Sequence, residues 1–452
     1  MAQEPESTVK RAELPMRLTR LRVKNFRSIA DIDIPLSPLT VLVGPNGSGK
    51  SNVVDALRFV RDVFARGLDQ AVMDREGMGV IQRWGTESIS LQIDLSIERE
   101  EAKKFLQMIS QKQVVTELAP VRNISYGFTF QEGAKGKIII SSEYLQMSFH
   151  DETATLEIER IQGEIQGKLE GAGFVQNTLE SSIAVISQQN SLLMPEGLFS
   201  KIEEFFVEFD DEYQFFAEQV EFFPWGDVDH AFRQFDEFVK AKLFYTLNPN
   251  DLRQPQQVLR ENPLDEKGRN LAAVLRRLAS GDDSDWKILI LTLRQAIIGF
   301  DELQVETVGG YLATKLLYQT NNSTKSRASY LGQESDGTIR MLGLLAALLQ
   351  EPSQPFISIE EPEANIHPGA LAVLAGVIDE ASLRSQILVT THSPDMLDHL
   401  PVESFLVVEK VGDTTHVGPL DASQIASVRK RLFTPGELFR MEGLQRQAES
   451  AS

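Results

Sequence analysis

The sequence predicts an α/β protein: a mixed, largely parallel sheet flanked by helices and interrupted by a central β-rich and helical insertion. Three observations predict it. An apolar strand, a glycine-rich turn and a helical pattern follow one another in TVLVGPNGSGKSNVVDALRFV, residues 40–60. Three short apolar runs, QPFISIEE (354–361), SQILVTTHS (385–393) and ESFLVVEKV (403–411), alternate with helical patterns such as IRMLGLLAALLQ and GALAVLAGVIDEA. That alternation is the rhythm of a parallel sheet covered by helices. Between these two regions lies a long stretch of different texture.

In chain order, residues 1–16 are polar and mixed in charge and read as a tail. Residues 17–100 alternate apolar and polar positions in LTRLRVKNF and SISLQIDLSI, the pattern of half-buried strands, around the apolar strand LTVLVG and one helix. The insertion, 101–299, opens with the strand-like runs ISYGFTF, KGKIIISSEYLQMSF and ATLEIERI. It continues through KIEEFFVEFDDEYQFFAEQVEFF to the helix-like GRNLAAVLRRLAS and DWKILILTLRQAI. The interleaved phenylalanines and acids read as a helix burying one aromatic face, with a partner-binding strip as the alternative. Residues 300–436 form the second half of the sheet-and-helix region, and 437–452, which lose strand patterning, read as a second tail.

At 452 residues, with 42% hydrophobic and 24% charged side chains, the chain can bury a large core. No apolar run approaches the roughly 18–20 residues that span a bilayer, and the first 17 residues lack the apolar centre of a signal peptide. A cytoplasmic protein without a membrane partner is therefore expected. The absence of cysteine excludes disulfides and thiolate metal sites. A net charge of −20 repels a polyanion over most of the surface, so DNA contact is left open only through a local basic patch.

Gly44, Pro45, Asn46, Gly47, Ser48, Gly49, Lys50 and Ser51 fit G-x-x-x-x-G-K-[ST] in the strand–loop–helix context that this phosphate-binding motif requires. Glycines let backbone N–H groups wrap a polyphosphate, and the helix beginning near Lys50 adds its positive end. Lys50 is expected to reach the β- and γ-phosphates of ATP and Ser51 to offer its hydroxyl to Mg²⁺; Asn52 belongs to the same binding set. Glu360 and Glu361 emerge at the end of an apolar strand, where carboxylates are costly unless something nearby needs them. Beside a magnesium nucleotide, Glu360 would hold the hydration shell of the metal and Glu361 would polarise the attacking water as general base. His392 follows the next apolar strand, where an imidazole can meet the γ-phosphate or that water. The expected catalytic set is Glu361, His392 and Lys50. Ser335 and Gly337 stand at the start of a long helix, which aims a hydroxyl, an N–H and a helix N-terminus at one point.

With VKNFRSI (23–29) leading into the loop, ESDGT (334–338) as a signature motif, ISIEEPEANIHP (357–368) as Walker B plus D-loop and VTTHSP (389–394) as a switch histidine, the chain resembles the ABC-type ATPases. Within them it is similar to the branch containing SMC, RecF and the overcoming-lysogenization-defect (OLD) ATPases. The resemblance covers the first and last blocks, and extends more weakly to 247–278, which look like the linker helices of small ATPases of this branch. It implies a P-loop NTPase head of the ABC type, acting as a homodimer or higher homo-oligomer in which two subunits sandwich two ATP molecules head to tail. Ser335 and Gly337 would serve the nucleotide held by the other subunit. Arg27 would approach the phosphates, and Ala364 and Asn365 would lie in the D-loop that couples the two sites. The Q-loop glutamine, a further Mg²⁺ contact, is assigned to Gln188, with Gln82 and Gln92 as rivals. Glu360 stands where Asp is commoner, and Asp336 stands where transporters carry Gly, which argues against a transporter.

OLD nucleases carry a metal-dependent Toprim domain after this ATPase. Only 452 − 392 = 60 residues follow His392, and Glu409 has no downstream Asp-x-Asp, so no fused nuclease is expected and Glu409 reads as solvent-facing. The resemblance then points to an ATP switch controlling a separate effector, a nuclease or toxin, as in the Septu, PARIS or retron-associated defence systems. A RecF-like or SMC-like role in DNA repair or chromosome maintenance is the alternative.

Overall fold

The computed structural model describes residues 16–97, 121–149, 154–161, 164–171, 235–257, 263–281, 283–319 and 327–447. Gln188 and the phenylalanine–acid stretch at 201–223 lie outside them. The chain divides into two compact units, one drawn from Met1–Arg20, Asp62–Asp74 and Glu87–Lys240, the other from Leu21–Arg61, Arg75–Thr86 and Ala241–Ser452. Three strands open the described chain: β1 (Met16–Phe26), β2 (Ile29–Pro35) and β3 (Leu39–Val43).

In the first unit, β4 (Ser88–Ile97), β5 (Val121–Glu132), β6 (Ile138–Phe149), β7 (Ala154–Ile161) and β8 (Glu164–Gly171) form an antiparallel meander in chain order. Every second residue of β4 is buried, from Ile89 to Ile97, as the two-residue period of its sequence dictates. Phe130, Phe128 and Tyr126 of β5 stand opposite Ile89, Leu91 and Ile93. Phe64 meets Tyr126 edge-on with ring centroids 5.1 Å apart, a favoured geometry for aromatic pairs.

The second unit holds the remaining strands: β9 (Leu243–Tyr245), β10 (Gln256–Gln257), β11 (Phe300–Val308), β12 (Tyr311–Tyr318), β13 (Arg327–Tyr330), β14 (Phe356–Glu360), β15 (Gln386–Thr391), β16 (Phe405–Val411) and β17 (Thr414–Pro419). Its main sheet runs β2-β17-β16-β3-β15-β14-β9. All its pairs are parallel except the β16–β17 hairpin. β3 and β15 are buried throughout and β14 up to its last residue, the continuous apolar reading of strands covered on both faces. A small antiparallel sheet joins β10, β11, β12 and β13. The helices Asp336–Leu349 and Pro368–Ala381 are apolar almost all round and lie in the core with β3, β14 and β15.

Residues 437–447 are not a tail. Thr434 and Glu437 form a capping box at the helix Pro435–Met441, Leu438 and Leu444 join the core, and Gln447 N–H donates to Pro419 O at 2.8 Å. The helix is only seven residues long, too short to show periodicity, but T-P-G-E carries its start signal. Glu409 is half-exposed and accepts the Arg446 N–H at 3.1 Å, so it anchors this returning segment.

Candidate functional site

Strand register puts the candidate residues at one edge. β3 pairs with β15 so that Val43 faces Thr391, and β15 pairs with β14 so that Thr390 faces Glu360. The glycine-rich loop follows Val43, His392 follows Thr391, and Glu361 follows Glu360. Three neighbouring parallel strands therefore deliver all three groups at their carboxyl ends, where open α/β sheets bind ligands.

Gly47 and Gly49 have φ of +78° and +106°, which side-chain-bearing residues rarely adopt. A Cβ on Gly49 would fall on the Thr415 side chain, and one on Gly44 would fall on the Val408 carbonyl. Pro45, Asn46, Gly47 and Ser51 are exposed, whereas Gly44, Ser48 and Lys50 are buried. Lys50 Nζ donates to Gly44 O (2.8 Å) and Pro45 O (3.0 Å). Burial lowers the Lys50 ammonium from its usual value, while the carboxylates of Glu361 and Glu363 raise it. The loop is braced from outside the motif. Thr415 Oγ1 lies 3.0 Å from Ser48 O and 2.6 Å from Ser28 Oγ, and Asn52 Nδ2 donates to Ser28 Oγ at 2.6 Å. Arg83 then ties Ser28 O to Asp413 and Thr414.

Glu360 is three-quarters buried, with Arg58 Nη2 at 3.4 Å. Glu361 turns sharply out of the strand with φ +47°, held by Glu361 N–H to Thr390 O at 2.9 Å. Arg340, from the helix Asp336–Leu349, donates to Glu360 O (3.2 Å), Glu361 O (2.9 Å) and Leu247 O (2.7 Å). His392 Nδ1 lies 3.2 Å from Glu361 Oε1 and 3.6 Å from Glu363 Oε1, without a hydrogen bond to a described residue. Glu363 Oε1 accepts from Thr391 Oγ1 (2.7 Å) and from the His392 N–H (3.1 Å).

Ser335 is the N-cap of its helix, accepting the Thr338 N–H at 3.2 Å, and Gly337 lies in the first turn. Arg253 fixes the turn by donating to Asp336 Oδ1 (2.6 Å) and Glu334 O (2.9 Å). A Cβ on Gly337 would fall on the Asn365 carbonyl, so this glycine lets the helix tip approach the turn at Asn365 closely. Asn365 itself has φ +63°. The Arg27 side chain is paired with Asp55 at 2.9 Å. Of the rival glutamines, Gln82 donates to Thr86 O and Gln92 to Asp94 Oδ1. Arg340 and Thr415 had no sequence signal, and Ser28 and Glu363 lay in quoted motifs without a role of their own, because each works through a contact distant along the chain.

The donor set suits a magnesium nucleotide. Among the described residues, Ser48 Oγ is buried without a hydrogen-bond partner beside the loop, and Lys50 donates to the carbonyls of its own loop. Among the described residues, no three His, Asp or Glu side chains are grouped to hold a metal unaided. Mg²⁺ needs no such cage, since it keeps several waters and binds through one or two protein oxygens plus phosphate.

Residues 16–115 match the family described as "AAA ATPase domain", and residues 224–398 the family described as "AAA domain, putative AbiEii toxin, Type IV TA system". An OLD nuclease of Thermus scotoductus is 58% identical over 43 residues, 10% of this chain and 8% of the relative. A chromosome partition protein Smc of Halothermothrix orenii is 57% identical over 47 residues, 10% of this chain and 4% of the relative. A DNA replication and repair protein RecF of Chlorobium phaeobacteroides is 32% identical over 120 residues, 22% of this chain and 32% of the relative. The matched stretches thus span about a third or less of these curated relatives. Among solved structures, the Smc head domain with an extended coiled coil from Pyrococcus furiosus, bound to the C-terminal domain of ScpA, aligns with 92% of this chain and 99% of its own, at a TM-score of 0.45 and 14% identity.

Proposed function

We propose that this chain, an ATPase of the SMC/RecF/OLD-like kind, binds and hydrolyses Mg-ATP in a head-to-tail dimer and uses the cycle as a conformational switch. The observation that carries the reading is the single edge at which Lys50, Glu360, Glu361 and His392 meet. Mg²⁺, when bound, would supply positive charge to offset the charge that develops on the phosphates. Gly44, Pro45, Asn46, Gly47, Ser48, Gly49, Ser51 and Asn52 cradle the phosphates, and Lys50 exchanges its loop carbonyls for phosphate oxygens. Ser51 and Glu360 would hold the metal and its waters, Glu361 would take the proton of the attacking water, and His392 would meet the γ-phosphate. The Q-loop contact to Mg²⁺ is proposed for Gln188, which lies outside the described residues, and Arg27 would approach the phosphates. Ser335 and Gly337 act on the partner's nucleotide, with Ala364 and Asn365 carrying that contact back to Glu361.

The output is control of a separate effector, a nuclease or toxin, in bacterial anti-phage defence. Two findings support it: the family description over residues 224–398 names a toxin of a toxin–antitoxin system, and an OLD nuclease is among the similar proteins. The RecF similarity over 120 residues favours the second reading, a DNA-repair ATPase. Stimulation of turnover by DNA alone would select that reading, and stimulation by a co-expressed protein partner the first.

Mixing subunits tests the shared site. Ser335→Arg should bind ATP and hydrolyse it poorly, and Lys50→Ala should not bind. In their mixed dimer one composite site carries both lesions and the other neither, so activity should return. Parental turnover by Ser335→Arg alone would remove the sandwich.

A further inference from the structure

The side chain of Glu363 is only 8% exposed, and nothing in the proposed reaction uses it. One of its oxygens, Oε2, is buried without a hydrogen-bond partner among the described residues. Burying a carboxylate in this way is costly, and an apolar residue of similar size would serve stability better. Its other oxygen, Oε1, takes two hydrogen bonds, from the Thr391 hydroxyl and from the His392 backbone N–H, and lies 3.6 Å from His392 Nδ1. The three contacts converge on one two-residue segment. Thr391 Oγ1 in turn accepts the Ser393 N–H at 3.0 Å, so the turn on both sides of His392 hangs from the Glu363 carboxylate.

The backbone of Glu363 belongs to the turn that sets Glu361. Ala364 N–H donates to Glu361 O at 3.1 Å, and Ile366 N–H to Glu363 O at 3.0 Å. The same turn carries Asn365, whose carbonyl lies where a Gly337 Cβ would stand. From this we infer that Glu363 is a positioning residue: it locks His392 to the D-loop turn, so that the imidazole and Glu361 are placed as one unit for attack on the γ-phosphate. The inference rests on the hydrolysis proposed above. It predicts that whatever moves the D-loop also moves His392, because the link is two hydrogen bonds to one carboxylate rather than a loop free to drift.

The test is a double-mutant cycle on the full chain, read as ATP binding by calorimetry and turnover by phosphate release. Glu363→Ala should bind ATP within about threefold of the parent and lose about 10- to 100-fold in kcat, the range expected when a reacting group shifts by about 1 Å. Glu363→Gln, whose amide oxygen accepts the same two hydrogen bonds, should recover most of that loss. In a His392→Ala background, Glu363→Ala should cost little more, since its effect runs through His392. Should Glu363→Ala fail to fold, Thr391→Val removes one anchor at constant shape and should show the same dependence on His392. Additive losses in the two backgrounds, or parental turnover by Glu363→Ala while Glu361→Gln is inactive, would overturn the inference and leave the hydrolysis reading standing. Parental turnover by Glu361→Gln would instead remove the hydrolysis reading itself.

Discussion

Arg340 is the residue whose removal should separate folding from chemistry most clearly. Its guanidinium donates to three backbone carbonyls, two of them in the turn that presents Glu360 and Glu361. Burial lowers its pKa from the usual value, with the carboxylates of Glu363 and Glu361 opposing that shift. Arg340→Met keeps the unbranched stem and removes the donors. A hydrogen bond to a charged group contributes about 1.5–3 kcal/mol, and bonds made by one guanidinium are not additive, so the net loss of stability should be about 3 kcal/mol rather than the sum. An effect of similar size falls on catalysis. Glu361 sits at φ +47°, a conformation that surrounding contacts must maintain, and losing one clamp lets it relax. A displacement of about 1 Å costs about 100-fold in rate. Urea unfolding monitored beside phosphate release should therefore show a modest shift in midpoint, unchanged ATP affinity and a collapse of kcat. Parental kcat in a destabilised variant would refute the argument that this arginine places Glu361.

Two further perturbations probe other parts of the structure. Gly49→Ala combines φ +106° with a Cβ on the Thr415 side chain, strain of about 1–3 kcal/mol before the clash is counted, so ATP affinity should fall at least about tenfold; parental affinity in calorimetry would contradict it. Lys242 is fully buried, and burial, with the Arg61 guanidinium adding repulsion, lowers its pKa to about 7. Between pH 7 and 10.5 the unfolded chain holds a proton on this lysine that the folded chain has shed, so folding stability from this group rises as pH rises through that window, by at most about 5 kcal/mol. Lys242→Met should accordingly be more stable than the parent at pH 7, with the difference shrinking toward pH 10; an equal pH dependence in both proteins would show that the lysine is not held uncharged.

The parts of the fold and candidate site that were legible in the sequence are those written locally. A strand, a glycine-rich turn and a helix within 21 residues announce the loop around Lys50, and paired acids after FISI announce Glu360 and Glu361. His392 is legible for the same reason, as the first polar group after QILVTT. What stayed hidden is held by contacts across long separations: Thr415 against Ser48, 367 residues apart, and Arg340 against the carbonyl of Leu247, 93 apart. No periodicity or motif encodes such pairs. The segment 437–447 escaped because it docks through two leucines and isolated backbone bonds rather than a patterned face. Glu363 was visible only as one acid among several, and its meaning came from the Thr391 hydroxyl and His392 N–H aimed at it.

Glu361→Gln shows whether nucleotide binding closes two subunits and hydrolysis opens them. The amide keeps the shape of the side chain and cannot take a proton from water. Mass photometry of this variant with Mg-ATP should show a stable species at twice the protomer mass or a higher even multiple, absent without nucleotide and transient in the parent. The same mass distribution with and without ATP, together with parental hydrolysis, would contradict the account.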